Sequence, residues 1–143
     1  MPTLIVSKQV TVSPDALWAV LADFGDVAWI PGSPVVDVDG DGPGMKRTIQ
    51  GGSGQPVAET LLWIKPADRA LSYEIANSPL PVTKFVAVVT VTLANGADPG
   101  AGAAITWKVE YEPDGDDTAA RAAIEGVYAM MADWLQDAAT SKA

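Results

Sequence analysis

ITWKVEYEPDGDDTAARAAIEGVYAMMADWLQDAA, residues 105 to 139, changes its period part-way along, and that change decides the fold. In the first part Ile105, Trp107, Val109 and Tyr111 alternate with polar residues, the spacing of two that a half-buried strand requires. After the turn residues Pro113, Asp114 and Gly115, Ile124, Val127, Tyr128, Met131 and Leu135 recur three and four apart, which is one face of a helix. Alanine richness favours that helix, and Asp116 or Asp117 can cap its first turn. Gly126 sits inside it at a cost of about 1 kcal/mol relative to Ala. Such a glycine suggests the close approach of another element, or a small spot beside a ligand.

Upstream, VTKFVAVVTVTL is the most strongly β-branched run in the chain and reads as a long strand beside 105–112. Gly, Asp and Pro break the preceding sequence into further strands. Counting the two strands just described, they lie near 34–40, 44–51, 55–65, 69–77, 82–94 and 102–112, and their short connections imply an antiparallel meander. Before them TLIVSKQVTV, residues 3 to 12, is one more strand, with Leu4, Val6, Val10 and Val12 on one face and Lys8 on that same face. SPDALWAVLADF follows as a helix start, with Ser13 as N-cap, Pro14 in the first helical position and Asp15 in the first turn. Asp26 to Trp29 reads as a short helix or turn that stops at Pro31 and Gly32. The element order is α+β. A sheet that curls round one long helix leaves a cavity where inward residues are too small to fill it, and Ala87, Ala123 and Gly126 are the small inward candidates.

Composition narrows the function. With 143 residues, 48% of them hydrophobic, the chain has the size of one domain, 1–143, with a real core. Eighteen acidic and nine basic residues leave a net charge of −9, which argues against nucleic acid and against an anionic membrane surface as partners. There is no cysteine and no histidine, so thiolate chemistry and the commonest general base and metal ligand are missing. Any catalysis falls to carboxylates, Lys, Arg, Tyr, Ser, Thr or water, with no metal and no cofactor expected. The apolar stretches are strand-sized, far short of the roughly 18 residues of a membrane span, and MPTLIVSKQVTV lacks the pattern of a secretory leader. A cytoplasmic protein, monomer or homodimer, without membrane insertion is expected.

The ordered set WAVLADFGDVAWIPG, GPGMKRTI, GQPVAETL, ALSYEIANSPLPVTKFVAVVTV and TWKVEYE, closed by the long helix, resembles the START-like (SRPBCC) superfamily of lipophilic-ligand proteins. Within it the chain looks like the bacterial polyketide cyclase/dehydratase-like branch, related in fold to the plant abscisic acid receptors and the birch pollen allergen. The resemblance covers nearly the whole chain. It implies a helix-grip fold: a seven-stranded antiparallel sheet curled round the C-terminal helix, two short helices after strand 1, and a deep cavity for an apolar small molecule. It implies no particular reaction, because one fold hosts binding proteins and enzymes alike. By the same resemblance Glu59 matches the glutamate of an E-x-L strand motif that faces the cavity. Tyr73 and Ile75 match pocket positions on the next strand, Ser78 to Pro81, including Leu80, match a gating loop, and Phe85 and Ala87 match wall positions. Two departures stand out: the receptors' histidine-containing gate is absent, and Lys65 stands where relatives carry Asp.

PVAETLLWI, residues 56 to 64, places one carboxylate in an apolar strand. Parity puts Val57, Glu59, Leu61 and Trp63 on one face, and Met45, Arg47 and Ile49 share a face of the strand before, so Arg47 can meet Glu59 across the ladder. A buried carboxylate needs a partner, water or a proton. Three roles are open for it: a wall ion pair with Arg47 that does nothing chemical, an anchor, with Arg47 or Lys8, for the polar end of an apolar ligand, or a general acid or base with Tyr73 as proton donor. Lys8 has the plainer alternative of lifting its ammonium to water along its methylene stem. Leu61, Trp107, Val127 and Met131 complete the expected ligand-binding set; Trp63 belongs with core or cavity wall, and Trp18, Trp29 and Trp134 are expected to pack. DVDGDG, 37 to 42, lacks the spacing and distal Glu of a calcium loop and reads as a hairpin turn. GGSG, 51 to 54, lacks the Lys-Ser/Thr and the helix of a phosphate cradle and reads as a hairpin loop. The expected function is therefore binding of a lipid-like or aromatic small molecule. The alternatives are a cyclase, aromatase or dehydratase using Glu59 and Tyr73, or a protein-interaction module gated by the SPLP loop.

Overall fold

A computed structural model describes residues 2–31, 35–50, 56–76, 80–94 and 102–142. The elements are β1 (Thr3–Val10), α1 (Pro14–Ala22), β2 (Val35–Asp39), β3 (Lys46–Gln50), β4 (Val57–Lys65), β5 (Ala70–Ala76), β6 (Val82–Leu93), β7 (Ala103–Pro113) and α2 (Asp117–Lys142). The seven strands form one antiparallel sheet in the order β1-β7-β6-β5-β4-β3-β2, a meander from β2 to β7 with β1 laid against its end. This is the helix-grip arrangement, with α2 across the sheet's inner face. The strand ends differ from those expected by one or two residues.

Alternation on β7 puts Ile105, Trp107, Val109 and Tyr111 in the core, where they meet Ile124, Tyr128 and Leu135 of α2. Asp116 is the cap: its carboxylate accepts from the backbone N–H groups of Thr118 and Ala119 at 3.4 and 3.2 Å. Asp117 has another task, accepting from the Tyr111 hydroxyl at 2.5 Å and so tying the start of α2 to β7. Ser13 caps α1 through its hydroxyl, and Arg69 at the β4–β5 hairpin reaches back to Asp15 of α1 at 2.7 Å. DVDGDG forms the end of β2 and the turn into β3, with Gly40 and Gly42 at positive φ. GGSG, and Ser78 and Pro79 of the SPLP loop, lie outside the described residues. No helix among the described residues is long and apolar enough to cross a membrane.

Three expectations need correcting. Only α1 is a helix in the segment after β1; Asp23 to Ile30 forms two tight turns, held by Asp26 N–H to Asp23 O and Ile30 N–H to Val27 O. The Asp26 carboxylate accepts from Ala28 N–H inside this stretch and so favours a turn over continued helix. Trp63 leaves the inner face because the β4–β5 register slips between Leu61 and Trp63: Leu61 opposes Tyr73, but Trp63 opposes Ser72 and Ile64 opposes Leu71. One extra residue reverses parity, so Ile64 packs on the core and Trp63 lies under the Lys65 ammonium, 4.8 Å from its ring. Gly126 faces solvent, and a Cβ there would meet nothing within 4 Å. Lys8, paired with Ile105 on the sheet-edge strand β1, is exposed, in keeping with the plainer reading in which its ammonium lifts to water.

Candidate functional site

Register alone brings Arg47 and Glu59 together, since they are direct partners on β3 and β4. The Arg47 guanidinium donates from Nε and Nη2 to Glu59 Oε1, each at 2.6 Å. Its Nη1 donates to the Phe24 carbonyl at 2.8 Å, and the guanidinium carbon lies 3.9 Å above the Phe24 ring. The pair is buried, Arg47 being 6% and Glu59 9% exposed. One carboxylate oxygen thus takes both arginine bonds. Glu59 Oε2 has no partner among the described residues, yet no fully buried side-chain oxygen or nitrogen there lacks one, so Oε2 opens onto the cavity that Glu59 lines.

Two residues along β5, Tyr73 reaches across the cavity to α2. Its hydroxyl lies 2.7 Å from that of Tyr128, whose ring stacks on Trp107 at 4.3 Å between centroids. Burial, reinforced by the nearby Glu59 charge, holds the Tyr73 hydroxyl far above the usual phenol range. Burial also raises Tyr128, with Tyr73 beside it adding to the effect. Both are therefore neutral hydrogen-bond donors at physiological pH. Two hydroxyls carry two hydrogens and their mutual bond uses one, so the other has no acceptor among the described residues.

Around these groups lies a cavity of about 190 Å³, partly open to solvent, between the sheet, the turn before β2 and α2. Its polar lining is Arg47, Glu59, Tyr73 and Tyr128. The remainder is apolar: Ile49 and Val57 from β3 and β4, Ile75 and Phe85 from β5 and β6, Val127, Met131 and Trp134 from α2, and Trp29, Ile30 and Leu80 from the connections. The wall therefore offers a few convergent polar groups in an apolar surround, the usual make-up of a small-molecule site.

Known proteins share this architecture. A family model described as polyketide cyclase / dehydrase and lipid transport matches residues 1–140. The chain belongs to that family. Among solved structures, the protein XoxI from Bacillus cereus superposes with a TM-score of 0.80 at 23% identity, over 96% of this chain and 95% of that one. A protein from Thermobifida fusca does so with a TM-score of 0.77 at 23% identity, over 97% and 93%. Norcoclaurine synthase from Thalictrum flavum, solved with dopamine and hydroxybenzaldehyde, gives 0.72 at 19% identity, over 95% and 84%. These likenesses establish the fold. No curated protein matches the chain in sequence.

Of the residues singled out in the sequence, Arg47, Glu59, Tyr73, Ile75, Leu80, Phe85, Val127 and Met131 line the cavity. Leu61 and Ala87 do not. They flank Tyr73 in the ladder and are shut off beneath it, with exposures of 2% and 0%. Trp107 borders only a void of about 20 Å³ deeper in, because Tyr128 stacks over it. The space left by the small Ala87 is thus taken by a tyrosine pair that no local pattern announces. Lys8 stands away from the cavity. Trp29 and Trp134, expected only to pack, form part of the wall, as do Ile30, Ile49, Val57 and Tyr128. Parity with Arg47 and Glu59 pointed to Ile49 and Val57, and helical spacing from Val127 and Met131 pointed to Trp134. Nothing local pointed to Trp29 and Ile30, which are brought in by the turns.

Proposed function

We propose that the chain binds an apolar small molecule in the cavity between sheet and α2, with the ligand's polar end at Glu59, Arg47 and the tyrosine pair. The observation that carries this reading is the cavity of about 190 Å³ whose wall is apolar except at Arg47, Glu59, Tyr73 and Tyr128. An engineered cavity of about 150 Å³ accepts benzene, so the enclosed space suits one substituted ring or a short chain. Trp29 and Trp134 stand in the wall and serve as reporters. A titration with propylbenzene followed by tryptophan fluorescence tests the reading, with Val127→Trp as the plugged control. Binding that saturates in the parent and is lost in the plugged variant, at unchanged melting temperature, supports it; equal response in both sinks it.

Proton transfer at the same place is a second reading, favoured by one observation. The open Oε2 of Glu59 and the spare tyrosine hydrogen border the same space. A carbonyl ligand between them would have its oxygen supported by the phenol and a neighbouring proton within reach of the carboxylate, the arrangement a cyclase or dehydratase uses. A Glu59→Gln variant that binds substrate but does not turn it over separates this reading from binding alone.

A further inference from the structure

We propose that the ligand is a neutral molecule carrying a hydroxyl at its buried end, a phenol or alcohol of about one ring, and that fatty-acid-like anions are excluded; this rests on the binding reading above. The site is complementary to a hydroxyl. It offers an unused acceptor, Glu59 Oε2, and an unused neutral donor, the second hydrogen of the Tyr73–Tyr128 pair. A hydroxyl is the smallest group that donates to the first while accepting from the second. A bare hydrocarbon leaves both unsatisfied. A carbonyl satisfies the donor only.

Charge excludes the acids. Arg47 and Glu59 neutralise each other through two bonds to one oxygen, and a third arginine bond is spent on the Phe24 carbonyl, so the buried pair carries no net charge. A carboxylate ligand would place a second anion beside Glu59 with no cation left over, in a wall that is otherwise apolar. The tyrosines cannot supply the missing charge, and both stay protonated because burial opposes their ionisation. Size supplies the remaining limit: about 190 Å³ encloses one ring with a short substituent but not a multi-ring skeleton, whose remainder would stand in solvent.

Three matched probes decide it, para-propylphenol, propylbenzene and para-propylbenzoate, each titrated against the whole chain with the fluorescence of Trp29 and Trp134 as signal. The expected order is propylphenol about ten-fold tighter than propylbenzene, the worth of one or two well-placed hydrogen bonds, one of them to a charged group, with the benzoate weakest. In Glu59→Gln the order inverts for the acid: Arg47 loses its counter-charge, and the benzoate gains at least ten-fold while the phenol loses its advantage. Tyr73→Phe, which keeps the ion pair, reduces the phenol advantage without admitting the benzoate, and guards against a Glu59 variant that fails to fold. Equal affinity for phenol and propylbenzene overturns the hydroxyl assignment but leaves the apolar cavity standing. Benzoate binding tightest in the parent chain overturns it in favour of Arg47 as an anion anchor. Failure of all three probes to bind overturns the binding reading itself.

Discussion

Arg47→Met is the most informative single perturbation of the buried pair. Methionine keeps most of the aliphatic length and removes three hydrogen bonds, two to Glu59 and one to Phe24. Breaking a buried ion pair by removing one partner costs about 3–5 kcal/mol, chiefly because the other charge stays buried and alone. Here Glu59 Oε2 already borders the cavity, so water relieves part of that penalty and the expected loss lies near the lower end, about 3 kcal/mol. Glu59→Leu should lose a similar amount, because the guanidinium then keeps only the Phe24 carbonyl and ring. The double variant Arg47→Met/Glu59→Leu leaves no charge unpaired and extends the apolar wall. Replacing a buried pair by apolar residues is often neutral or better, so the double variant should be more stable than either single one, with a coupling energy of about 2 kcal/mol or more. Urea unfolding of the four proteins gives the cycle directly, provided the slope is common to all. Additive losses, with coupling below about 0.5 kcal/mol, would show that the two charges are each solvated independently and would refute the buried-pair argument.

Other outcomes follow from single features. Gly126→Ala should stabilise the chain by about 1 kcal/mol in the same unfolding assay, since the position is helical and exposed and a Cβ there is unobstructed. Gly102→Ala should destabilise by at least about 2 kcal/mol: φ is +94° there, and the new Cβ would fall 2.2 Å from the Val10 carbonyl oxygen. Alkali should unfold the protein through Tyr73 and Tyr128. The folded chain holds both protons well above the ordinary phenol range, whereas the unfolded chain releases them near pH 10. Stability is therefore fully present below about pH 10 and falls above it by about 1.4 kcal/mol per pH unit for each tyrosine. Tyrosinate absorbance followed alongside far-ultraviolet circular dichroism checks this, since both buried phenols should ionise only as the fold is lost.

The fold was legible because its signals are local and agree with one another. A period of two up to Tyr111, a period near four from Ile124 and turn residues between them are enough to place β7 and α2 and the switch from one to the other. Half of the polar lining of the candidate site is legible for the same reason: Arg47 opposite Glu59 follows from strand pairing and parity. The misreadings fall where a long-range or one-residue event breaks the local rule. The slip after Leu61 moves Trp63 outward, and alternation by itself contains no mark of it. Tyr73 is legible on its strand, but its partner Tyr128 shows in the sequence only as one residue of a helical face, because a hydroxyl pair between β5 and α2 depends on how the helix crosses the sheet. Trp29 and Ile30 reach the cavity through two turns whose direction no periodicity encodes. Gly126 in mid-helix suggests either a close neighbour or a small spot beside a ligand, and its exposed position away from the cavity removes both.

The third bond of Arg47 limits how this protein can diversify. By holding the Phe24 carbonyl, Arg47 fastens the connection after α1 to the sheet, and that same connection carries Trp29 and Ile30 into the cavity wall. The residue that sets the polarity of the pocket is therefore also a clasp on its architecture. Substitutions at Arg47 would alter selectivity only by loosening the enclosure. Ile49, Val57, Ile75, Val127 and Met131 border the same space without holding any such bond. A lineage or an engineer reshaping the pocket has its freedom at those five side chains, with the Arg47–Glu59 end left as it is.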